Sequence, residues 1–310
     1  MLDTLTQEFR DGVLRDIPSG LQQICEDLSL EFPTCADGVG LIMEQKCLGG
    51  TRTEILNEIM DWIDTTDATA PRVFWLSGRA GTGKSAIAHA VAFHAHHLGM
   101  LGSCFCFTRV RQHEGLHTML FATIARDLTD RDLRLRPLLA KVIKDPSLVN
   151  TADASTQWQK FIVEPLSQLE GSSTGNVVVV IDALDESGAE ATRMSILEAL
   201  IENDGKLPIN LRVLLTSRPL EDIREVLYFT QQVHARSLDD IDTQSTISDI
   251  RLHISYQLKI LGSLSSEEDV RGLPAKSGGV FEWARLACDF VSHRETLVGA
   301  ASRSWRYPPG

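Results

Sequence analysis

The chain has 310 residues, of which 43% are hydrophobic and 23% charged, and its formal net charge is −12. A chain of this length can bury a sizeable core and hold one or two domains. The acidic balance argues against nucleic acid or an anionic membrane surface as a partner, because clustered Lys and Arg hold such partners. We therefore expect no nucleic-acid partner and no membrane partner.

The apolar runs of the sequence are short. The longest, such as VVVVI at 177–181, fall far below the ~20 residues that a membrane span needs. The first residues also lack the basic start and apolar stretch of a secretion signal, so we expect a cytoplasmic protein. The six cysteines contain no C-x-x-C pair, which indicates buried free thiols rather than a metal site. We interpret the histidines within 89–97 as structural or solvated.

Helical and strand-like segments follow one another along the chain. Residues 13–30 carry apolar side chains at helical spacing, and TEILNEIMDWI at 53–63 is again helical. Short apolar runs then alternate with helical segments, and we expect these runs to be strands: 72–77, 103–107, 176–182 and 211–217. Such alternation predicts an α/β fold with a parallel sheet and crossover helices.

The pattern changes past Arg218, where it indicates helices only. The predicted helices lie at 242–261 and 279–293. A small helical domain after the sheet is the simple inference, and the last ten residues are expected to form a disordered tail.

A glycine-rich segment, GRAGTGKS, lies between the first predicted strand and a predicted helix. It fits the pattern G-x-x-x-x-G-K-S, in which glycines let backbone N–H groups surround phosphate oxygens. In this pattern Lys84 reaches the β- and γ-phosphates, Ser85 ligates Mg²⁺, and the next helix points its N-terminus at the same anion. A flexible glycine turn is the alternative, which the flanking strand and helix disfavour. The expected phosphate-binding residues are Gly78, Gly81, Thr82, Gly83, Lys84, Ser85 and Ala86.

Charged residues follow two of the later predicted strands. Asp182 ends the run VVVVI, where a P-loop protein needs a carboxylate for Mg²⁺. Asp185 and Glu186 come next, and either could polarise a water for attack on the γ-phosphate. Arg218 follows LLTS and could offer its guanidinium to the same phosphate. Because ligands of parallel sheets bind beyond the carboxyl ends of the strands, we expect these groups to converge with Lys84.

Three segments carry a resemblance to a known family. GRAGTGKSAIA, VVVVIDALDES and LLTSRP resemble the NACHT class of signal-transducing, STAND-type P-loop ATPases. They are most similar to fungal NLR-like proteins whose core is called the nephrocystin 3-like N-terminal domain. The family's acid pattern of Asp, small, apolar, Asp, Glu is matched at 182–186. The resemblance covers 46–293 and implies a three-layer P-loop NTPase fold with helices on both faces of the sheet. It also places the strand that ends at Thr216 between the P-loop strand and the strand of Asp182.

The resemblance further implies how the nucleotide is held. Residues 47–63 resemble an entry segment that lies against the nucleotide base, so Thr51 and Arg52 are expected to bind nucleotide. Gly49 stands there in place of a usual proline. KSGGVFEWARL resembles a segment with a Gly-x-Pro whose proline touches adenine, and Phe281 takes that proline's place. The implied cofactors are ATP or ADP, with GTP as an alternative, and Mg²⁺.

The implied function is a nucleotide switch with slow hydrolysis, ADP-bound when off and ATP-bound when assembled, in defence or self/non-self recognition. A homo-oligomer through the NACHT domain of a longer protein is a possible partner. Relatives continue into a winged-helix domain and sensor repeats, which this chain is expected to lack. A non-hydrolysing nucleotide-binding scaffold and a P-loop phosphotransferase stay open as alternatives. The predicted division is an N-terminal helical tail (1–45), the P-loop domain (46–225), the small helical domain (226–300) and the tail (301–310).

Overall fold

The computed structural model describes residues 46–145, 153–169, 175–201, 207–260 and 272–290, together with residue 36 and residues 40–42. The helix predicted within 13–30 and the tail predicted at 301–310 lie outside the described residues.

Helices and strands alternate through most of the described chain. In chain order they are α1 (Thr53–Asp64), β1 (Val73–Ser77), α2 (Lys84–His97), β2 (Leu101–Cys106), α3 (Leu116–Arg131), α4 (Arg136–Ile143), α5 (Ala154–Trp158), β3 (Val177–Asp182), α6 (Glu190–Ile201), β4 (Leu211–Ser217), α7 (Glu221–Leu227), β5 (Val233–Ser237), α8 (Thr243–Ile260), α9 (Leu273–Lys276) and α10, of which residues 281–290 are described. A π-helical turn, Gln159–Val163, continues α5 into a further helical turn, Glu164–Ser167.

The five strands form one parallel sheet in the order β2-β3-β4-β1-β5. β4 therefore lies between β1, which precedes the glycine-rich loop, and β3, which ends at Asp182. This confirms the predicted strand order. Because Ser77 of β1 pairs with Ser217 of β4 and Ile181 of β3 with Leu215, the carboxyl ends of these three strands lie side by side.

β1, β3 and β4 are buried on both faces of the sheet, which explains why these strands read as apolar runs rather than as alternating patterns. Val178, Val180 and Leu214 pack with the apolar side chains of α1 and α2 on one face. Val179 and Val213 pack on the other face with side chains of α3, α6 and α7 and of the helical turns after α5. Helices thus cover both faces, as predicted for an α/β fold of three layers.

β5 contradicts the expectation that only helices follow Arg218. This strand pairs with β1 along one side, from Val73 and Val233 to Ser77 and Ser237. Its sequence, VHARS, has half-buried or exposed side chains, since a strand at the end of a sheet has a neighbour on one side only. It therefore shows neither an apolar run nor strict alternation. β5 lies beyond residue 225, where we placed the end of the P-loop domain, and that division stays a prediction.

The helices after β5 build a small apolar cluster of their own. Ile250, Ile254 and Leu258 of α8 pack against Ala284 and Cys288 of α10. The helical character predicted for this part of the chain is confirmed. Within the described ranges, none of the helices combines the length and the apolar character that crossing a bilayer requires.

Candidate functional site

The glycine-rich loop between β1 and α2 has a backbone that glycine alone adopts easily. Gly81 and Gly83 have φ values of 74° and 97°, in the left-handed region. Space is also short at Gly81, where an added Cβ would lie 2.8 Å from Cγ1 of Val280. Conformation and packing therefore both explain the glycine at position 81.

Lys84, the first residue of α2, reaches back into this loop. Its ammonium group donates to the carbonyl oxygens of Gly78 at 2.7 Å and Arg79 at 2.9 Å. Burial lowers the pKa of Lys84, and the nearby negative charges of Asp185 and Asp182 oppose that shift. The loop thus curls around a cation close to two carboxylates, and the exposed Ser85 follows at the same end of α2.

Asp182 is oriented by the neighbouring strand. The hydroxyl of Thr216, at the end of β4, donates to Oδ1 of Asp182 and accepts the N–H of Ala183 at 3.1 Å. Thr216 is fully buried and Asp182 is 3% exposed. Ala183 has a φ of 57°, a left-handed conformation that costs a non-glycine residue about 1–2 kcal/mol. Thr216 was predicted at a strand end, but its contact with Asp182 was not predicted. The predicted pairing of its strand beside that of Asp182 was the signal that could have indicated the contact.

The buried Asp185 pairs with Arg218, whose side chain is half-buried. The backbone N–H of Arg218 donates to Oδ1 of Asp185 at 2.9 Å, and its Nε donates to Oδ2 at 2.5 Å. The Asp185 side chain is 4% exposed. Burial raises the pKa of Asp185, and the positive charge of Lys84 opposes that shift. The pair ties the end of β4 to the turn that follows β3.

Glu186 lies nearer to solvent and contacts Arg109, a residue that the sequence analysis did not single out. The backbone N–H of Arg109 donates to Oε2 of Glu186 at 3.0 Å, and its Nε lies 3.4 Å from Oε1. The two side chains are 57% and 28% exposed, respectively, so water reaches the pair. Arg109 lies just after β2, at the same edge of the sheet. This position after a predicted strand was the signal that could have indicated a place for Arg109 in the site.

The predicted nucleotide-binding residues outside the loop have contacts of their own. The Thr51 hydroxyl donates to the carbonyl of Leu48 at 2.7 Å, within its own turn. The Ala86 carbonyl accepts the N–H of Cys47 at 3.2 Å, which joins the entry segment to α2. Arg52 is buried, and its guanidinium donates to the carbonyl of Thr82 at 3.0 Å. The structure therefore brings the segment 47–52 against the loop and the start of α2.

A separate polar cluster lies in the core beneath α2. The ligand atoms of His89, Cys104 and Cys106 lie within 4.8 Å of one another. The His89 Nδ1 accepts the N–H of Ile42 at 3.3 Å, so the neutral ring carries its proton on Nε2, which faces the Cys106 sulfur at 3.9 Å. A metal-binding histidine instead donates from its second nitrogen. A hydrogen bond from Cys104, aided by His89, lowers the pKa of Cys106 to about 7. This arrangement agrees with buried, hydrogen-bonded thiols.

Comparison with known proteins identifies a family. The family model described as nephrocystin 3, N-terminal, matches residues 50–218, which is more than half of the chain. The match begins in the turn before α1 and ends at Arg218, so it contains the glycine-rich loop, the three acids and every strand except β5. No curated protein matches the chain.

Proposed function

The chain belongs to the nephrocystin 3 N-terminal family, and from this premise we propose that it binds ATP or GTP with Mg²⁺ at the carboxyl edge of its sheet and hydrolyses it slowly. The observation that carries the proposal is the convergence of Lys84, Asp182 and Glu186 at the carboxyl ends of β1 and β3, the two strands that flank β4. A cation, a buried carboxylate and a solvent-reachable carboxylate are the three groups that phosphoryl transfer to water requires.

The loop suits a phosphate chain. Gly81 and Gly83 have left-handed φ values, a backbone form that occurs in anion-binding nests. The Lys84 ammonium lies within the loop, and α2 begins at this residue, so its N-terminal dipole adds positive potential at the same place. In the structure the ammonium donates to loop carbonyls. A bound triphosphate would offer it charged oxygens, which are stronger acceptors.

Mg²⁺ fits the oxygen donors at the loop. The ion prefers carboxylates, hydroxyls and phosphate oxygens, and Ser85 and Asp182 are the residues that would hold it. When bound, the ion neutralises charge on the β- and γ-phosphates. Thr216 fixes the orientation of the Asp182 carboxylate through a buried hydrogen bond. The carboxylate therefore needs little rearrangement to act as a ligand.

The two remaining acids take different roles in this proposal. Both oxygens of Asp185 already accept hydrogen bonds from Arg218, and its side chain is almost fully buried. We assign it to positioning the end of β4. Glu186 is 28% exposed and can bind water, so we assign it to orienting the attacking water. The pairing of Glu186 with Arg109 supports slow turnover, and it equally supports the second candidate, a scaffold that binds nucleotide without hydrolysing it.

The finer part of the proposal concerns biology. We propose that the nucleotide acts as a switch in a cytoplasmic NLR-like signalling protein of defence or self/non-self recognition, which assembles through this domain. The resemblance of the three segments supports this role. The contact of α10 with the loop also supports it, since the Glu282 N–H donates to the Gly81 carbonyl at 3.2 Å. Helices that touch the loop directly can respond to what the loop holds.

The test begins with purified protein, from which any bound nucleotide is released by denaturation and identified. Calorimetry with Mg·ATP and Mg·GTP then measures affinity for the parent, for Lys84→Ala and for Lys141→Ala, which removes the same charge from an exposed position on α4. We expect loss of binding in Lys84→Ala alone. Equal affinities for the parent and Lys84→Ala would overturn the proposal. Phosphate release separates a slow NTPase from a scaffold, and transfer to an added acceptor would identify a phosphotransferase.

A further inference from the structure

One buried side chain, that of Arg52, contacts three separate parts of the molecule. Its guanidinium Nη2 donates to the carbonyl of Thr82 in the glycine-rich loop at 3.0 Å, and its Nη1 donates to the hydroxyl of Thr246 on α8 at 3.2 Å. The guanidinium carbon lies 4.8 Å from the ring centroid of Phe281, at the start of α10. Arg52 therefore joins the turn before α1, the loop and the helices that follow the sheet.

The backbone of Arg52 is held in place as firmly as its side chain. Its N–H donates to Oδ2 of Asp249 on α8 at 3.0 Å, and its carbonyl accepts the N–H of Leu56 in α1. Its φ of 54° is unfavourable for a residue with a Cβ, so the surrounding contacts must hold it there. Only 5% of the residue is exposed.

The helical part makes a second contact with the loop, beside that of Arg52. The Glu282 N–H donates to the carbonyl of Gly81 at 3.2 Å. The Phe281 ring lies 4.0 Å from the point that a Cβ on Gly83 would occupy. Two successive loop carbonyls, those of Gly81 and Thr82, are thus bound from outside the loop.

These two bonds determine where the neighbouring N–H groups point. Both peptide units, Gly81-Thr82 and Thr82-Gly83, are trans. In a trans unit the C=O and the N–H point in opposite directions. The Gly81 carbonyl is directed at Glu282, so the Thr82 N–H points away from Glu282. The Thr82 carbonyl is directed at Arg52, so the Gly83 N–H points away from Arg52. Neither N–H has a hydrogen-bond partner among the residues that the structure describes.

We propose that Arg52, together with the α8–α10 helices, is a positioning residue that presets the Thr82 and Gly83 N–H groups for a phosphate chain. The inference rests on the proposed function of nucleotide binding and deepens it. It differs from a role for Arg52 at the nucleotide base, because it assigns the effect of Arg52 to the phosphates. It also makes the docking of the helical part a condition of tight phosphate binding.

Inorganic tripolyphosphate with Mg²⁺ is the probe that separates the two roles, since it has phosphates and neither base nor ribose. We expect Arg52→Ala to bind it about tenfold more weakly than the parent, roughly the contribution of one hydrogen bond to a charged group. A role at the base predicts unchanged tripolyphosphate affinity and weaker ATP affinity. That result would overturn the proposal.

Loss of a positive charge would by itself weaken anion binding, so variants on α8 control for charge. Asp249→Ala removes a negative charge, and electrostatics alone predict tighter tripolyphosphate binding. The proposal predicts weaker binding, because the Arg52 N–H loses its acceptor. Thr246→Val removes an acceptor without any charge change and should also weaken binding, whereas Thr246→Ser keeps the hydroxyl and should restore it. Tighter binding in Asp249→Ala would contradict the proposal.

Hydrogen exchange tests the contact without any ligand. Arg52→Ala removes bonds that join the loop to the helical part. The protection of the Glu282 amide against exchange should therefore fall by about tenfold, the effect of losing one hydrogen bond between them. The Ala284 amide, which bonds within the helix to Val280, should keep its protection. Unchanged protection of Glu282, or equal losses at both amides, would overturn the positioning role. A parent protein that binds no triphosphate at all would refute the proposed function, and this inference with it. Triphosphate binding that is weaker in the variants than in the parent supports both the proposed function and this inference.

Discussion

The bond between Thr216 and Asp182 makes a measurable contribution to stability, and Thr216→Val removes it with little change of shape. The valine keeps the volume of the threonine but leaves the Asp182 carboxylate without its donor and the Ala183 N–H without its acceptor. A hydrogen bond to a charged group contributes about 1.5–3 kcal/mol, and a buried polar group left unsatisfied costs about 1–3 kcal/mol. We expect the free energy of unfolding to fall by about 3 kcal/mol, a large share of the ~5–15 kcal/mol typical of a domain.

Urea unfolding followed by circular dichroism measures this loss. Thr129→Val is the matched control, because Thr129 is also buried and, among the described residues, its hydroxyl bonds to the neutral carbonyl of Arg126 alone. We expect the control to lose about 1 kcal/mol or less. The same substitution at Thr216 should also weaken Mg²⁺-dependent triphosphate binding, because it frees the carboxylate that we assign to the ion.

Equal losses in the two variants would refute the assignment. They would mean that the Thr216 hydroxyl contributes no more than an ordinary buried hydroxyl, and that Asp182 is oriented by other contacts. A stability loss without any change in Mg²⁺ dependence would keep the structural role of Thr216 and remove Asp182 from the proposed metal ligands.

The remaining predictions concern the loop and its acids. Lys84→Met should be as stable as the parent or more stable at neutral pH, because burial lowers the pKa of Lys84 and the charged form is costly. The folded pKa of Lys84 lies below the unfolded one. In urea titrations the free energy of unfolding of the parent should therefore rise relative to that of the variant as the pH rises through the folded pKa. Arg109→Ala should raise phosphate release severalfold, and Glu186→Gln should reduce it by about a hundredfold. Gly81→Ala should weaken tripolyphosphate binding and expose the α10 amides to hydrogen exchange, since its Cβ would meet Val280.

The sheet and the loop could be predicted because their signals are local. The apolar runs at β1, β3 and β4 have lengths and compositions typical of strands buried on both faces. The loop motif has fixed spacing between its glycines and Lys84. The strand order does not follow from local pattern. It was predicted through family resemblance, and the observed sheet has the predicted order.

The features that were missed depend on contacts between distant residues. β5 has no apolar pattern, because it borders β1 on one side and has half-buried side chains. Arg109 looks like any charged residue after a strand, and only the fold shows that it meets Glu186, 77 residues later. Arg52 was expected to bind nucleotide. Its contacts with Thr246 and Asp249 span nearly 200 residues of sequence, so no local spacing could indicate them.

The three acids have partners from two different parts of the sheet edge, the end of β4 and the segment after β2. The two sets of contacts differ in strength. Thr216 at the end of β4 bonds to Asp182, and Arg218 just after β4 bonds to Asp185, and both of these acids are buried. The segment after β2 supplies Arg109 to Glu186, and this pair is exposed enough that it contributes only about 0–1 kcal/mol. In the proposed function, a bound γ-phosphate would therefore draw Arg109 away at small cost, without disturbing the carboxylate that we assign to Mg²⁺. We therefore propose that nucleotide binding and water positioning are separable in this site, and that the weaker contact, between Arg109 and Glu186, sets whether bound nucleotide is hydrolysed.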